Sequence, residues 1–485
     1  MPDDVRDMTP DEFRAAGHRA VDLVADYLER VESFPILPPV EPGTIGPLFP
    51  PHPPEAGAPI EAILDDVERL VEPNATHWQH PAFFAYFATT ASGPGIVGEL
   101  LTAALGQNPM LWRTSPVGTE LETVVVGWLR EALGLPAAFD GLITDTASTS
   151  SLIALAAARE AAGVGAAREG LDGRGLEDLV VYASSEAHSS IEKACMTLGL
   201  GAASLVRIPA DDAYRMRVDR LRALIGADRA AGRRPIAVVA TLGTTSSTSV
   251  DPVAEIADVA AAEGLWLHVD AAYAGSAAIV PELRPAFGGW ERADSIVVNP
   301  HKWLFVPLDA SLLLSRRIDQ LRAAFSLVPE YLRTLDRQAP VRDYSELTPQ
   351  LGRRFRALKL WVHLRWFGLE RLRAVVRDHV ALAREFESWV AAEPGWELLA
   401  PTPFSTVCFR FAPSGFADLD ALNEALLNAV NATGRVFLSH TRLGDRFTLR
   451  LAIGNLRTER RHVELAWRLL REHAAHVRER ALRTA

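Results

Sequence analysis

Apolar positions along this chain change spacing three times. In "TPDEFRAAGHRAVDLVADYLERV", residues 9–31, Phe13, Val21, Val24, Leu28 and Val31 recur at helical intervals. Thr9 as N-cap, Pro10 at the first helical position and Glu12 three residues on give the helix a start signal. The following "FPILPPVEPGTIGPLFPPHPPEAGAP" is too rich in proline to continue a helix or to enter a sheet, so it should run extended over a surface. An apolar helix on so long a tether needs a cover, either a second subunit or its own core.

From about residue 80 to 375, short β-rich runs alternate with helical ones, the pattern of βαβ units around a largely parallel sheet. The clearest strands are "GLITDT", "DLVVYASS", "PIAVVATLG", "GLWLHVDAAY" and "DSIVVNPHKW". Their near-continuous apolarity suits strands buried on both faces. After a helical stretch at 356–390 come "FSTVCFRF", "RVFLSHTRLGDRFTLRLAIG" and a closing helix from "TERRHVELAWRLL". The pattern therefore predicts an α/β fold in three parts: an N-terminal helical and proline-rich segment at 1–80, a large domain at 81–375 and a small α+β domain at 376–485. The alanine-rich "ALAAAREAAGVGAAREG" reads as a helix running into a glycine-rich loop.

Composition narrows the class. The chain has 485 residues, 48% hydrophobic and 23% charged, which is globular and large enough for two or three domains. A net charge of -11 with interleaved signs offers no extended basic face to nucleic acid. The start "MPDDVRDMTP" lacks an export signal and no apolar run is long enough for a bilayer, so the expected location is the cytoplasm. Cys195 and Cys408 stand far apart and suggest neither a disulfide nor a thiolate metal site.

In an open parallel sheet ligands lie beyond the carboxyl ends of the strands, so polar residues that close apolar runs are the candidates. Asp270 closes "LHVDAAYAG", and Asn299, His301 and Lys302 close "VVNPHKW". A lysine there could snorkel to the surface, but a buried ammonium beside a buried carboxylate must meet partners or a ligand. The turn "ITDTASTSS" leads a strand into a helix through Ala147 and Ser148, a place for an anion or simply for an N-cap. Neither a dinucleotide fingerprint nor a P-loop is present, so the anion would be a single phosphate. His188 and Thr245 also follow strands, where a capping or core role is equally open. A phosphate cradle, an imidazole, a carboxylate and a lysine on one sheet edge are what pyridoxal phosphate requires. The lysine forms a Schiff base with its aldehyde, and the aspartate keeps its pyridine nitrogen protonated.

At these residues the chain resembles the group II pyridoxal-phosphate-dependent decarboxylases, the aromatic L-amino-acid decarboxylase family. "HPAFFAYF", "TSPVGTELE", "AHSSIEKA", "ATLGTT", "HVDAAYAGSA", "NPHKW" and "LGRRFRALKLW" occur in the family's order over nearly the whole chain. The resemblance implies the PLP-dependent transferase-like fold (fold type I), a homodimer with the N-terminal segment laid across the partner, and an amino-acid substrate. It implies Lys302 as the Schiff-base lysine, Asp270 at the pyridine nitrogen and His188 stacked on the ring. Ala147, Ser148, Asn299 and His301 fall where the family holds the phosphate and its surroundings, and Thr245 in the cofactor pocket. Trp78, Tyr86, Phe87 and Thr89 match substrate-pocket positions, whose simpler reading is aromatic core. Tyr331 falls where family decarboxylases keep a loop tyrosine that protonates Cα, and where related aldehyde synthases carry phenylalanine.

Three positions depart from the pattern. Asn108 and Met110 stand at the pocket wall where well-known aromatic decarboxylases have apolar and aromatic residues, and Thr149 replaces a usual glutamate. Gly352 leaves room for a bulky ring. The expectation is decarboxylation of an aromatic L-amino acid. The alternatives are an acidic or aliphatic substrate, an oxygen-dependent aldehyde synthase, or a non-catalytic binding member.

Overall fold

The computed structural model describes residues 6–171, 178–327 and 341–484. Its large sheet has seven strands, β1 (Asp140–Thr144), β2 (Leu179–Ser184), β3 (Leu205–Ile208), β4 (Arg234–Thr241), β5 (Trp266–Asp270), β6 (Ser295–Val298) and β7 (Ser311–Ser315). Their order across the sheet is β1-β7-β6-β5-β4-β2-β3. From β6 to β3 every neighbouring pair is parallel, whereas β7 runs antiparallel to both β6 and β1. The five strands with long apolar runs are those the sequence pattern points to. Beyond them the structure adds β3, four residues long with Arg207 exposed, and β7, whose three leucines are too short a run to distinguish strand from helix.

Both faces of the sheet are covered, and the strand period of two sorts the side chains between them. Val180, Tyr182, Val238, Ala240, Leu267 and Val269 face one core, while Val181, Ala183, Ala237, Val239 and Trp266 face the other. The helix Ala147–Ala161 supplies Ile153, Ala154, Leu155, Ala157 and Ala158 to the second core. Its small residues let it lie close to the sheet, which fixes where its N-terminus meets the strand ends.

A second, antiparallel sheet is formed by β8 (Trp396–Leu398), β9 (Thr406–Phe411), β10 (Ser439–Leu443) and β11 (Arg446–Ala452), in the order β10-β11-β9-β8. Gly444 and Asp445 join β10 to β11 with φ of 54° and 62°, the left-handed pair that a tight hairpin needs. The helix Arg356–Ala392 links the two domains: Leu372, Val376 and Val380 pack in the first core of the large sheet, and Leu382, Ala383, Phe386 and Val390 in the separate core of the small domain. Ala82, Phe83, Phe84 and Ala85 also pack in this small-domain core, so the segment that leads to Tyr86 and Phe87 is held by the small domain.

The helix Pro10–Arg30 begins with the capping box read from the sequence, Thr9 Oγ1 accepting from Glu12 N while Glu12 accepts from Thr9 N. None of its residues is buried, and Phe13, Val21 and Val24 are open to solvent within this chain. The helix Gly93–Leu105 likewise exposes Val97, Leu100, Leu101 and Leu105, and the helix Pro116–Ala132 exposes Val117, Val124 and Trp128. Among the described residues no helix is long and apolar enough to cross a membrane.

One buried ion pair holds the carboxyl edge together. Arg353 Nη2 lies 2.6 Å from Glu122 Oε1 with both side chains almost fully buried. The same guanidinium donates to the carbonyls of Pro109 and Ile143, and Glu122 accepts from Ile143 N. Arg353→Met would strand the Glu122 carboxylate, a loss of roughly 3–5 kcal/mol. A fall in the urea midpoint checks this, with Glu122→Gln expected to be milder.

Candidate active site

Asp270 ends β5 in register with Thr241 of β4 and Val297 of β6, which places its carboxylate at the carboxyl edge. Its Oδ1 accepts from Ala272 N at 3.1 Å. One strand over, β6 ends at Val298 and the chain turns through Asn299 into a single helical turn, Pro300–Trp303. Asn299 N donates to Ala272 O, Lys302 N to Asn299 O, and Ala310 N to His301 Nδ1, all near 3.0 Å. The turn is thus pinned on both sides of Lys302.

The Lys302 ammonium lies 5.4 Å from the centroid of Phe87. Burial pushes its pKa below the ordinary lysine value, and the Asp270 carboxylate partly opposes the shift. His188 senses both groups: burial and Lys302 lower its pKa while Asp270 raises it. Its Nδ1 accepts from Ser190 N at 3.1 Å and meets Ser190 Oγ at 2.8 Å, so the neutral ring carries its proton on Nε2. His301, buried beside Lys302, is pushed down to about 4 and stays neutral at working pH.

The turn that the sequence offers to an anion follows β1. Thr144, Ser150 and Ser311 form a chain of hydroxyls at 2.7 and 2.9 Å that ties β1, the helix Ala147–Ala161 and β7 together. Ser150 and Ser151 therefore face inward, while Ala147 is half-buried and Ser148 exposed at the edge. Thr146 occupies the N-cap in an extended conformation without a side-chain cap bond, which leaves the first amides and the positive end of the dipole for an anion. Asn299 Oδ1 is buried without a partner close by in sequence to Lys302. After β4, Gly243 holds φ of +88°, and a Cβ there would meet Ala274 Cβ at 2.5 Å, so only glycine lets this loop pass. Thr244 is buried beneath it and Thr245 exposed. A half-buried lysine of lowered pKa, a carboxylate, an imidazole and a turn open to an anion fit pyridoxal phosphate.

On the opposite wall Phe87 stacks on Tyr273 at 3.8 Å, and Trp78 stacks on Phe83 and, at 6.1 Å, on Tyr86. Tyr86 is exposed at φ of 52° and its amide donates to Ser439 Oγ of β10. Thr89 lies half-buried just beyond. One residue escaped the sequence reading. Arg450 of β11 is buried with its guanidinium carbon 5.3 Å from the Phe87 centroid, its Nε donating to Ser246 O and its Nη1 to Ser439 Oγ. Its Nη2 has no partner, and burial lowers its pKa. An arginine inside an alternating strand, "TLRLA", signals such a site only once the inward face is known.

Asn108, Met110 and Gly352 gather elsewhere. Asn108 Oδ1 accepts from Arg353 N at 2.9 Å and its Nδ2 contacts Met110 Sδ, while Gly352 is exposed with open space where a Cβ would stand. Among the described residues no hydrogen bond or ring contact joins this cluster to Lys302. Tyr331 lies outside the described residues.

Residues 42–412 match the family model described as "Pyridoxal-dependent decarboxylase conserved domain". The chain is 43% identical to "Aromatic-L-amino-acid decarboxylase" of Bos taurus, over 97% of each chain. It is 40% identical to "Phenylacetaldehyde synthase" of Arabidopsis thaliana, over 98% of each. Among solved structures, Oryza sativa TDC with PLP and tryptamine superposes with a TM-score of 0.93 at 38% identity, covering 97% of this chain and 99% of that one.

Asp270 is the upward influence on Lys302, so Asp270→Asn lets the lysine titrate at lower pH. Cofactor loading needs the neutral amine, and its rate should reach a plateau at a lower pH in the variant. The growth of the visible band across a pH series checks this, with Lys302→Ala giving no band.

Proposed function

The chain belongs to the pyridoxal-dependent decarboxylase family, and on that premise we propose that it converts an aromatic L-amino acid, such as tryptophan, tyrosine, phenylalanine or DOPA, to CO2 and the corresponding amine. The observation that carries this reading is the desolvated Lys302 amine set between Asp270 and His188 at the mouth of an aromatic wall. Pyridoxal phosphate, when bound there, supplies a ring that accepts the electron pair left by the departing carboxylate. The chain's part is to hold and tune. Lys302 offers a neutral amine, Asp270 would keep a proton on the ring nitrogen, and His188 would pack against the ring. The turn at Ala147 and Ser148, with Asn299, His301 and Thr245 around it, would hold the phosphate and its surroundings.

Phe87, Tyr86, Trp78 and Thr89 form the wall for the substrate side chain, and aromatic faces suit aromatic rings. Arg450 presents an unpaired N–H to this wall and draws the substrate carboxylate in. Tyr331, by the family resemblance, returns the proton to Cα.

The apolar faces left open by Phe13, Val21, Val97, Leu101 and Trp128 support a homodimer, with the N-terminal helix across the partner. In that assembly Asn108, Met110 and Gly352 complete the partner's pocket. A second reading, an oxygen-dependent aldehyde synthase, shares this scaffold, and Tyr331 in place of phenylalanine weighs against it.

The cofactor-loaded protein given a panel of amino acids should release amine and CO2 in equal amounts from aromatic substrates. Turnover of glutamate or diaminobutyrate alone would overturn the aromatic reading, and ammonia with peroxide would establish the synthase. Tyr331→Phe should cut amine yield and divert product to aldehyde. Arg450→Met should raise KM about tenfold or more with a smaller change in kcat, the mark of a binding contact.

A further inference from the structure

Lys302 belongs to a helical turn of four residues, Pro300–Trp303, too short to be stable alone. What holds it is the next side chain. Trp303 is fully buried, stacks on Tyr273 at 4.9 Å and donates its Nε1 proton to His379 Nδ1 at 3.0 Å. His379, on the helix Arg356–Ala392, holds its ring nearly parallel to the indole, with Phe305 edge-on to it. Because Nδ1 accepts from the indole, the neutral ring carries its proton on Nε2.

Asn455 follows β11 and is itself completely buried. Its Nδ2 donates to Trp78 O and His80 O at 3.2 and 2.9 Å, which anchors the segment that leads into Tyr86 and Phe87. From the Lys302 turn a path runs through Trp303 to His379 of the linking helix on one side, and through Tyr273 to Phe87 of the wall for the substrate side chain on the other. Burial keeps the imidazole neutral throughout the working range, so the link to Trp303 does not open with pH.

We propose that His379 is a positioning residue that fixes the Lys302 turn against the pocket wall by accepting from Trp303. It touches neither cofactor nor substrate. The proposal rests on pyridoxal phosphate being bound at Lys302, and not on which amino acid is turned over.

The test compares His379→Leu, His379→Gln and Trp303→Phe in the full-length protein. The readouts are pyridoxal phosphate affinity, the rate of cofactor release on dialysis and the melting temperature of the cofactor-free protein. Leucine removes the acceptor, and affinity should fall about tenfold or more with faster release. Glutamine can accept with Oε1, so it should restore both readouts to within about twofold, a margin well inside one lost hydrogen bond. Trp303→Phe keeps an aromatic ring but removes the donor, and should weaken affinity in the same direction; it serves alone where His379→Leu does not fold. A purely structural histidine would lower the melting temperature of the cofactor-free protein while leaving affinity and release of the folded variants unchanged, and that result overturns the proposal. So does a glutamine variant as impaired as leucine. A parent protein that loads no cofactor overturns both this clamp and the function it rests on, whereas a loading parent with indifferent variants overturns the clamp alone.

Discussion

The structure depends on keeping one amine out of water beside one carboxylate. Lys302 loses hydration at the end of β6, and Asp270 at the end of β5 repays only part of that loss, so the amine gives up its proton more readily than a surface lysine. Neither group tolerates such a position without rigid neighbours. The parallel run of β4, β5 and β6 brings them together, and the bonds from Ala272 and Ala310 keep the lysine turn from relaxing outward.

The small domain is part of the site as well. Arg450 of β11 reaches Ser246 in the loop after β4, and Ser246 Oγ meets Thr441 of β10. Phe83 and Phe84, which precede the aromatic wall, are buried in the small-domain core. The pocket is thus a seam between two cores that share one helix. Packing in either core is felt at the amine.

The residues that could be read from sequence alone are those whose chemistry is carried by local order. Asp270, Asn299, His301 and Lys302 close apolar strands, and Thr9 with Glu12 announces a helix. Those that escaped depend on distant pairing. Arg450 looks like any arginine on an alternating strand until β11 is placed against the loop after β4. The partnership of Glu122 with Arg353 spans more than two hundred residues, and the hold of the Arg353 amide on the Asn108 carbonyl spans as many. The short β3 and β7 were silent for a different reason, since four or five residues carry too little periodicity to declare a strand.

The reversed direction of β7 has a metric consequence. It sits between β1, which ends at the anion turn, and β6, which ends at the lysine, and the hydroxyl chain of Thr144, Ser150 and Ser311 locks it to the first of these. With neighbouring strands about 4.8 Å apart, the sheet becomes a ruler whose graduations are its own hydrogen bonds. Such a ruler sets the separation of the turn after β1 from the Asp270 carboxylate, three strand positions away.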